Sequence, residues 1–216
     1  MPIASPVLEG YTERMYLPQH FAITNPEVLF DLMQRFSFAT LVSVHENRPF
    51  ATHIPFAVYP ERNLLASHMA RANPQWTTFA QNEEVLVIFQ GDHSFISPAW
   101  YEKHPSVPTW NYMTVHAYGK LHIVEEPAVV KTHLHDLVGQ YEQQWKMDEL
   151  PQEYLYGMMK GIVAFQIEIT RLEGKFKLSQ NRSRADQERV VAALEQSPHP
   201  GDRAVARQMK KSLEQA

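Results

Sequence analysis

Apolar and polar residues alternate in several short runs along this chain, and turn-forming residues separate the runs. A period of two is typical of a strand that buries one face. The runs predict strands over 38–44, 50–59, 64–69, 85–89, 112–124 and 162–172, the last of them ended by Gly174. Many strands at such short spacing favour an antiparallel barrel.

Six further segments begin with the signals that start helices, a capping side chain or an early proline. The predicted helices cover 26–36, 73–82 and 127–145, and three more begin at Pro151, after Ser183 and at Asp202. The pattern as a whole predicts a mainly β fold with flanking helices. We expect an N-terminal extension over 1–14, a barrel domain over 15–182 and a C-terminal helical appendage over 183–216.

Two parts of the pattern depart from simple strands. Pro55 lies inside the second predicted strand, which requires a bulge, a sheet edge or backbone that a ligand contacts. Residues 90–111 are long and irregular, yet too rich in aromatic side chains for disorder. We therefore expect this segment to form an ordered lid over a ligand.

The composition narrows the classes of function. The 216 residues include no Cys, which excludes disulfides, thiolate metal ligands and Cys nucleophiles. The net charge of −4 argues against a whole-surface grip on nucleic acid. No apolar stretch approaches the roughly 18 residues of a membrane span, and residues 1–14 lack the apolar run of a secretion signal. We expect a cytoplasmic protein that does not bind membranes.

One short segment has the chemistry of an anion site. Ser67, His68, Arg71 and Asn73 lie where a predicted strand gives way to a helix start. The free N–H groups and dipole of a helix N-terminus attract anions, and an arginine adds a bidentate clamp for phosphate. The spacing also allows a simpler interpretation, in which Asn73 only caps the helix and Arg71 lies on the surface, because caps are far commoner than phosphate sites.

Other reactive residue types do not form a recognisable constellation. His133 and His135 diverge on a predicted helix, and no HExxH motif exists, so no metal site is predicted. Asp92, His93 and Ser94 are sequence neighbours that cannot all face one reacting atom, so no catalytic residue is assigned. The last helix carries Arg203, Arg207, Lys210 and Lys211. This set is most simply a solvated face, and it is the predicted contact surface if DNA is bound.

Six segments carry a resemblance to a known family. They are MYLPQHF (15–21), HIPF (53–56), HMARANPQW (68–76), FQGDHSFISPAWY (89–101), VPTWNY (107–112) and KLSQNR (177–182). As a set they resemble the PaiB-like FMN-binding negative transcriptional regulators, which belong to the pyridoxamine-phosphate-oxidase-like split-barrel class. The resemblance implies a six-stranded split β-barrel that forms a homodimer with FMN at the subunit interface. It therefore indicates an FMN-binding regulatory protein.

The resemblance also implies which residues contact FMN. The phosphate is implied to lie at Ser67, His68, Ala70, Arg71 and Asn73. The isoalloxazine ring is implied to lie beside Thr52, His53, Ile54 and Pro55. Lid residues of either subunit are implied to contact the ring, namely Trp110, Asn111 and Tyr112, although Trp110 and Tyr112 equally fit core packing. Gln180 and Arg182 are implied to reach the cofactor from the second subunit.

One departure from the class bears on activity. The true oxidases have a Ser-Arg-Lys phosphate segment, whereas this chain has Ser67 and His68. Oxidation of a pyridoxamine phosphate is therefore not expected. The alternatives to a regulator are a flavin-dependent oxidoreductase acting on a small molecule, or a haem-binding protein of the same barrel class.

Overall fold

A computed structural model of the protein describes residues 15–81 and 84–214. In this part of the chain one sheet is flanked by five α-helices. The strands are β1 (Ala22–Ile23), β2 (Phe38–His45), β3 (Arg48–Pro55), β4 (Ala57–Tyr59), β5 (Leu64–Ala70), β6 (Val85–Ile96), β7 (Thr109–Val124) and β8 (Ile162–Lys177). The α-helices are α1 (Pro26–Arg35), α2 (Pro127–Gly139), α3 (Gln152–Met159), α4 (Arg184–Glu195) and α5 (Pro200–Glu214). A 3-10 helix over Pro74–Gln81 follows β5.

The sheet is antiparallel throughout, with the order β3-β2-β6-β7-β8-β5-β4 and with β1 added beside β8. The prediction of a mainly β fold with flanking helices is confirmed. Eight strands are described rather than six. The predicted strand 50–59 is divided at Phe56, whose backbone N–H donates to the Ser37 carbonyl at 2.9 Å, and the two-residue β1 joins the edge of β8.

The prolines explain why β3 lies at an edge of the sheet. Pro49 and Pro55 have no N–H to donate, and β3 pairs only with β2. Pro55 ends β3 where the chain bends into β4. The outer edge of β3 therefore keeps backbone groups that no strand of the described chain uses.

The irregular segment predicted over 90–111 is shorter in the structure, because ten of its 22 residues belong to strands. β6 continues to Ile96 and β7 already begins at Thr109, so only residues 97–108 connect strands. The pairing of β6 with β7 shifts register between Gln90 and His93. This bulge interrupts the alternation, which hides the second half of the strand from a period-two pattern.

Two other predicted ends differ from the structure. Gly174 does not end the last strand, because β8 continues to Lys177. The glycine is needed inside the strand since α1 crosses there, and a Cβ would overlap Leu29. The helix predicted to reach Trp145 ends at Gly139.

The core is continuous from the barrel into the C-terminal helices. Val190, Val191 and Leu194 of α4 and Val205 and Met209 of α5 belong to the same buried cluster as the strand residues. The predicted boundary at residue 182 therefore does not coincide with a gap in the core. Within the described ranges, none of the helices has the length and apolar character needed to cross a bilayer.

Candidate functional site

The corner where β5 passes into the 3-10 helix is tied to the edge strand β3. The Asn73 side-chain Nδ2 donates to Thr52 Oγ1 at 3.0 Å, and its Oδ1 accepts from the backbone N–H of Gln75 at 3.0 Å. Asn73 is thus a helix cap, as the simpler interpretation expected, and also a bridge to β3. The two segments implied to contact FMN lie side by side.

Gln75 anchors this corner, and the sequence analysis missed it. Its side chain is fully buried, and Nε2 donates to Ser43 Oγ at 3.0 Å and to the Phe50 carbonyl at 3.2 Å. These bonds tie the corner to the β2–β3 hairpin. Its only signal was a polar residue at the second position of a predicted helix.

Arg71 has a structural task at this corner. Its Nε donates to the Lys160 carbonyl at 2.9 Å and its Nη2 to the Ile162 carbonyl at 2.8 Å. The guanidinium also lies 5.9 Å from the ring centre of Trp76. Because Nη1 makes no hydrogen bond within the described residues, part of the guanidinium remains available to an anion.

Ser67 and Ala70 differ in accessibility. The Ser67 hydroxyl is buried and donates to the Pro55 carbonyl at 2.6 Å. This hydroxyl is therefore already engaged by the backbone of β3, and the implied contact of Ser67 with the phosphate stays a prediction. Ala70 is exposed at the end of β5, where only its backbone offers polar groups.

Two imidazoles near the corner have no hydrogen-bond partner among the described residues. His68 is half-buried on β5, and burial lowers its pKa, so its ring is mainly neutral at pH 7. His53 is exposed on β3, opposite Thr40. Ile54, the next residue of β3, is buried in the core, so only its backbone can contact a ligand.

The donor set at this corner fits an FMN molecule. An isoalloxazine edge carries both hydrogen-bond donors and acceptors, and the free edge of β3 supplies both kinds of backbone group. The free Arg71 N–H groups and the His68 ring supply donors for a phosphate. A cavity of about 420 Å³ also opens beside Arg71. Its walls include Trp76, Lys160 and Ala164.

The residues predicted to form a lid are strand residues with different surroundings. Trp110 is 52% exposed, and its ring centre lies 5.8 Å from that of His93 and 6.0 Å from that of Phe95. Tyr112 is half-buried beside Lys175, whose Nζ lies 5.7 Å from the ring centre. Neither residue belongs to the 97–108 connection.

Asn111 is not available to a ligand in this conformation. Its side chain is fully buried, and its Nδ2 donates to Ser179 Oγ at 2.9 Å and contacts Met209 Sδ at 3.5 Å. The α5 helix covers this side of β7, and the implied contact of Asn111 with the flavin ring stays a prediction. The sequence could not reveal this, since Met209 lies 98 residues away.

Gln180 and Arg182 lie in the turn after β8. The Gln180 side chain closes that turn, donating to the Phe176 carbonyl at 2.6 Å and accepting from the Leu178 N–H at 2.7 Å. The Arg182 guanidinium lies 4.3 Å from the ring centre of Tyr101. Within the described ranges the Arg182 side chain donates no hydrogen bond, so its N–H groups are available to an anion, whereas the Gln180 amide is engaged in the turn.

The basic residues of α5 do not form one free face. Arg203 donates to the Ser197 carbonyl at 2.6 Å, and Lys210 pairs with Glu195 at 2.5 Å. Arg207 is exposed, and Lys211 lines a groove beside α1. Only two of the four predicted DNA contacts are therefore uncommitted.

The outer face of β7 and β8 carries a buried acid beside a histidine. Glu173 pairs with His116 across the strands, and its carboxylate accepts from the Met15 N–H at 2.9 Å and from Arg171 at 3.1 Å. Burial lowers the pKa of His116, and the Glu173 charge partly offsets this. His116 Nδ1 is buried with no partner among the described residues. Its signal in the sequence was the alternation of Tyr112, Thr114, His116 and Tyr118.

Comparisons with known proteins agree with this architecture. The family model described as "Putative FMN-binding domain" matches residues 15–171. The chain is 37% identical over 207 residues to "Protease synthase and sporulation protein PAI 2" of Bacillus subtilis, covering 92% of this chain and 98% of that protein.

Two solved structures share the fold. One is the conserved hypothetical protein Rv2991 from Mycobacterium tuberculosis, with a TM-score of 0.58, 14% identity and coverage of 78% of this chain and 94% of that one. The other is the flavocytochrome Anf3 from Azotobacter vinelandii, with a TM-score of 0.57, 12% identity and coverage of 76% and 74%. At these identities the likeness concerns the split-barrel fold alone.

Proposed function

Because this chain belongs to the family described as putative FMN-binding domains, we propose that it is a flavin-dependent regulatory protein whose FMN lies between the β3 edge and the Arg71 corner. The resemblance to the PaiB-like proteins is confirmed, and FMN is the cofactor. When bound, FMN supplies reversible one- or two-electron transfer. The regulatory role is the further step of the proposal.

One observation carries the placement of FMN. The hydrogen bond from Asn73 to Thr52 holds the β5 corner against the edge strand. Donors for the FMN phosphate and backbone groups for the edge of its ring therefore lie close enough to bind one molecule. In this placement Arg71 Nη1 and the His68 ring bind the phosphate. The backbone of Thr52 and His53 binds the ring edge, with Pro55 ending the strand. Arg182 is proposed to contribute from a second copy.

A second copy fits the outer face of the sheet. Phe38, Val44, Phe95 and Trp110 are large apolar residues that remain between 47% and 66% exposed. They lie on strands β2, β6 and β7, with Phe95 paired to Trp110 across the strands, so the proposed homodimer would cover apolar surface. Light scattering measures this directly, and a flavin-loaded monomer would contradict the proposed dimer.

The regulatory role is supported by the name of the Bacillus subtilis relative, which mentions protease synthase and sporulation. Direct DNA contact by α5 would depend on Arg207 and Lys211, since Arg203 and Lys210 are engaged. We therefore propose that replacing Arg207 and Lys211 together abolishes salt-sensitive DNA retention, if the protein retains DNA. Retention that survives the change would move the contact elsewhere.

A flavin-dependent oxidoreductase is the second candidate. The uncommitted imidazole of His68 favours it, because burial lowers the pKa of this ring and a neutral imidazole beside a flavin can donate or accept a proton. Rapid reduction of the bound FMN by NADH or NADPH, followed by reoxidation with a small acceptor, would favour the enzyme. A flavin that neither nucleotide reduces would favour the regulator.

The decisive experiment is FMN retention by matched variants. The purified protein should be yellow, with the visible absorption band of oxidised flavin. Arg71→Ala should weaken FMN binding at least about tenfold, since a charge-assisted phosphate contact is lost. Arg207→Ala, a variant at an exposed arginine away from the corner, should leave affinity unchanged. Equal affinities in the two variants would refute the phosphate placement.

A further inference from the structure

A groove between α1 and α5 has a volume of about 710 Å³. Its floor is apolar and consists of Leu32, Met113, Phe176 and Leu178, all of them buried. Ligand sites typically have this volume and a mainly apolar lining with few polar groups. None of the groups proposed to hold FMN at the β3 edge or the Arg71 corner lines this groove.

The rim of the α1–α5 groove carries opposite charges that are not paired with each other. Glu27 of α1 lines one side and Lys211 of α5 the other, and neither forms an ion pair within the described residues. The remaining rim charges, Asp31 and Arg35, neutralise each other at 3.3 Å. The groove therefore offers one free carboxylate and one free ammonium above an apolar floor.

The helix α5 explains why Lys211 faces this groove. Arg203 and Lys210 are held by Ser197 and Glu195, which fixes the rotation of the helix about its axis. Met209 is buried on the opposite side, against Asn111. The side chains of Gln208 and Lys211 then point toward α1, where Gln208 adds an uncommitted amide.

We propose that the α1–α5 groove binds a zwitterionic small molecule with an apolar body, such as an amino acid or a short peptide. The ligand ammonium lies toward Glu27, its carboxylate toward Lys211, and its side chains rest on the floor of Leu32 and Phe176. Charge complementarity selects the zwitterion over a simple acid or amine, because either alternative leaves one rim charge unpaired. The site is independent of the flavin.

The test uses the full-length protein and the dipeptide leucylphenylalanine, with calorimetry as the readout. Two capped forms serve as comparison ligands, the N-acetyl form without an ammonium and the C-terminal amide without a carboxylate. The free dipeptide should bind saturably, and each capped form should bind about fivefold more weakly, the size expected for a partly exposed ion pair.

The variants assign each charge. Lys211→Gln should lower the affinity for the free dipeptide about fivefold and leave the affinity for the amide form unchanged. Glu27→Gln should also lower the affinity for the free dipeptide about fivefold, and it should leave the affinity for the N-acetyl form unchanged. Arg207→Gln changes an exposed arginine of the same helix that does not line the groove, and should have no effect. No saturable binding, equal binding of all three ligands, or equal losses for both ligands in a variant would overturn the proposal.

Flavin content measured on the same samples keeps the two proposals separate. Dipeptide binding by a protein that takes up no FMN would support the groove and refute the flavin placement. FMN binding with no dipeptide binding would support the flavin placement and refute the groove.

Discussion

Asn73 donates its side-chain N–H to Thr52 Oγ1 at 3.0 Å, which joins two segments 21 residues apart. The same side chain caps the 3-10 helix through Gln75. One amide therefore sets both the start of the helix and its distance from the edge strand. The geometry of the proposed FMN site therefore depends on this pair.

Removing this pair should weaken both folding and flavin binding. Thr52→Val leaves the Asn73 N–H without its acceptor and should cost about 1 kcal/mol of unfolding free energy. Asn73→Ala also removes the cap and should cost about 1–2 kcal/mol. Urea unfolding and FMN titration measure the two effects. Thr132→Val, on the exposed side of α2, is the control, and an Asn73→Ala protein of unchanged stability would contradict the assignment.

Arg71→Lys tests the geometry of the guanidinium while keeping its charge. Arg71 reaches two carbonyls at 2.8 and 2.9 Å, which a single ammonium cannot copy. We expect a loss of about 1–2 kcal/mol in thermal or urea unfolding, together with weaker FMN binding. Arg207→Lys, at an exposed position of α5, should change neither. Full retention of stability in Arg71→Lys would show that the two carbonyl bonds are dispensable.

The stability of the protein should fall as the medium becomes acidic, and His116 should contribute. Burial lowers the pKa of His116 in the folded state, with the nearby Glu173 opposing this and Lys175 adding to it. Unfolded chains take up the proton first as the pH falls through about 6.5, which favours unfolding. This histidine therefore costs no stability above that pH and costs progressively more below it.

His116→Gln should flatten the decline of unfolding free energy between about pH 7 and pH 5. The flattening should be partial, because burial also lowers the pKa values of His68 and His133. His122→Gln changes an exposed residue of the same strand and serves as control. An identical pH slope in His116→Gln and the unmodified protein would contradict the assignment.

Two glycines should respond differently to alanine. A Cβ at Gly119 would overlap the Glu168 carbonyl and lie 2.6 Å from Ile167 Cγ2, where β7 and β8 shift register. Backbone cannot yield easily, so Gly119→Ala should cost about 1–3 kcal/mol or more. Gly157→Ala, on α3 with open space around it, should be neutral or slightly stabilising. Equal melting temperatures for the two variants would refute the prediction that Gly119 is needed for the close approach of β7 and β8.

The sequence predicted most of what depends on neighbouring residues. The alternation located β2, β5 and the main part of β8, and the caps located α1 and α4. Asn73 was recognised as a possible cap from its place at the start of the predicted helix 73–82. Each of these features is encoded within a few residues of where it appears.

What the sequence did not predict depends on distant contacts. The carbonyls that hold Arg71 come from residues about 90 positions later, and Asn111 is buried by a helix near the end of the chain. Gly174 resembled a strand end because its reason, the crossing of α1, is tertiary. The bulge near His93 removed the only local signal for the second half of β6.

Strand β8 sets how far the chain can be shortened. Its first half, Ile162–Glu168, pairs with β5, and Ala164–Lys177 pair with β7, while Gly174 and Lys175 also pair with β1. The family match ends at Arg171, in the middle of this strand. A protein truncated after Arg171 would lack the strand that pairs with β1, and the backbone of Tyr112–Ala117 would be unpaired on one side. Unpaired strand edges of this kind promote aggregation. The residues that match the family model and the residues needed for independent folding are therefore different in this molecule.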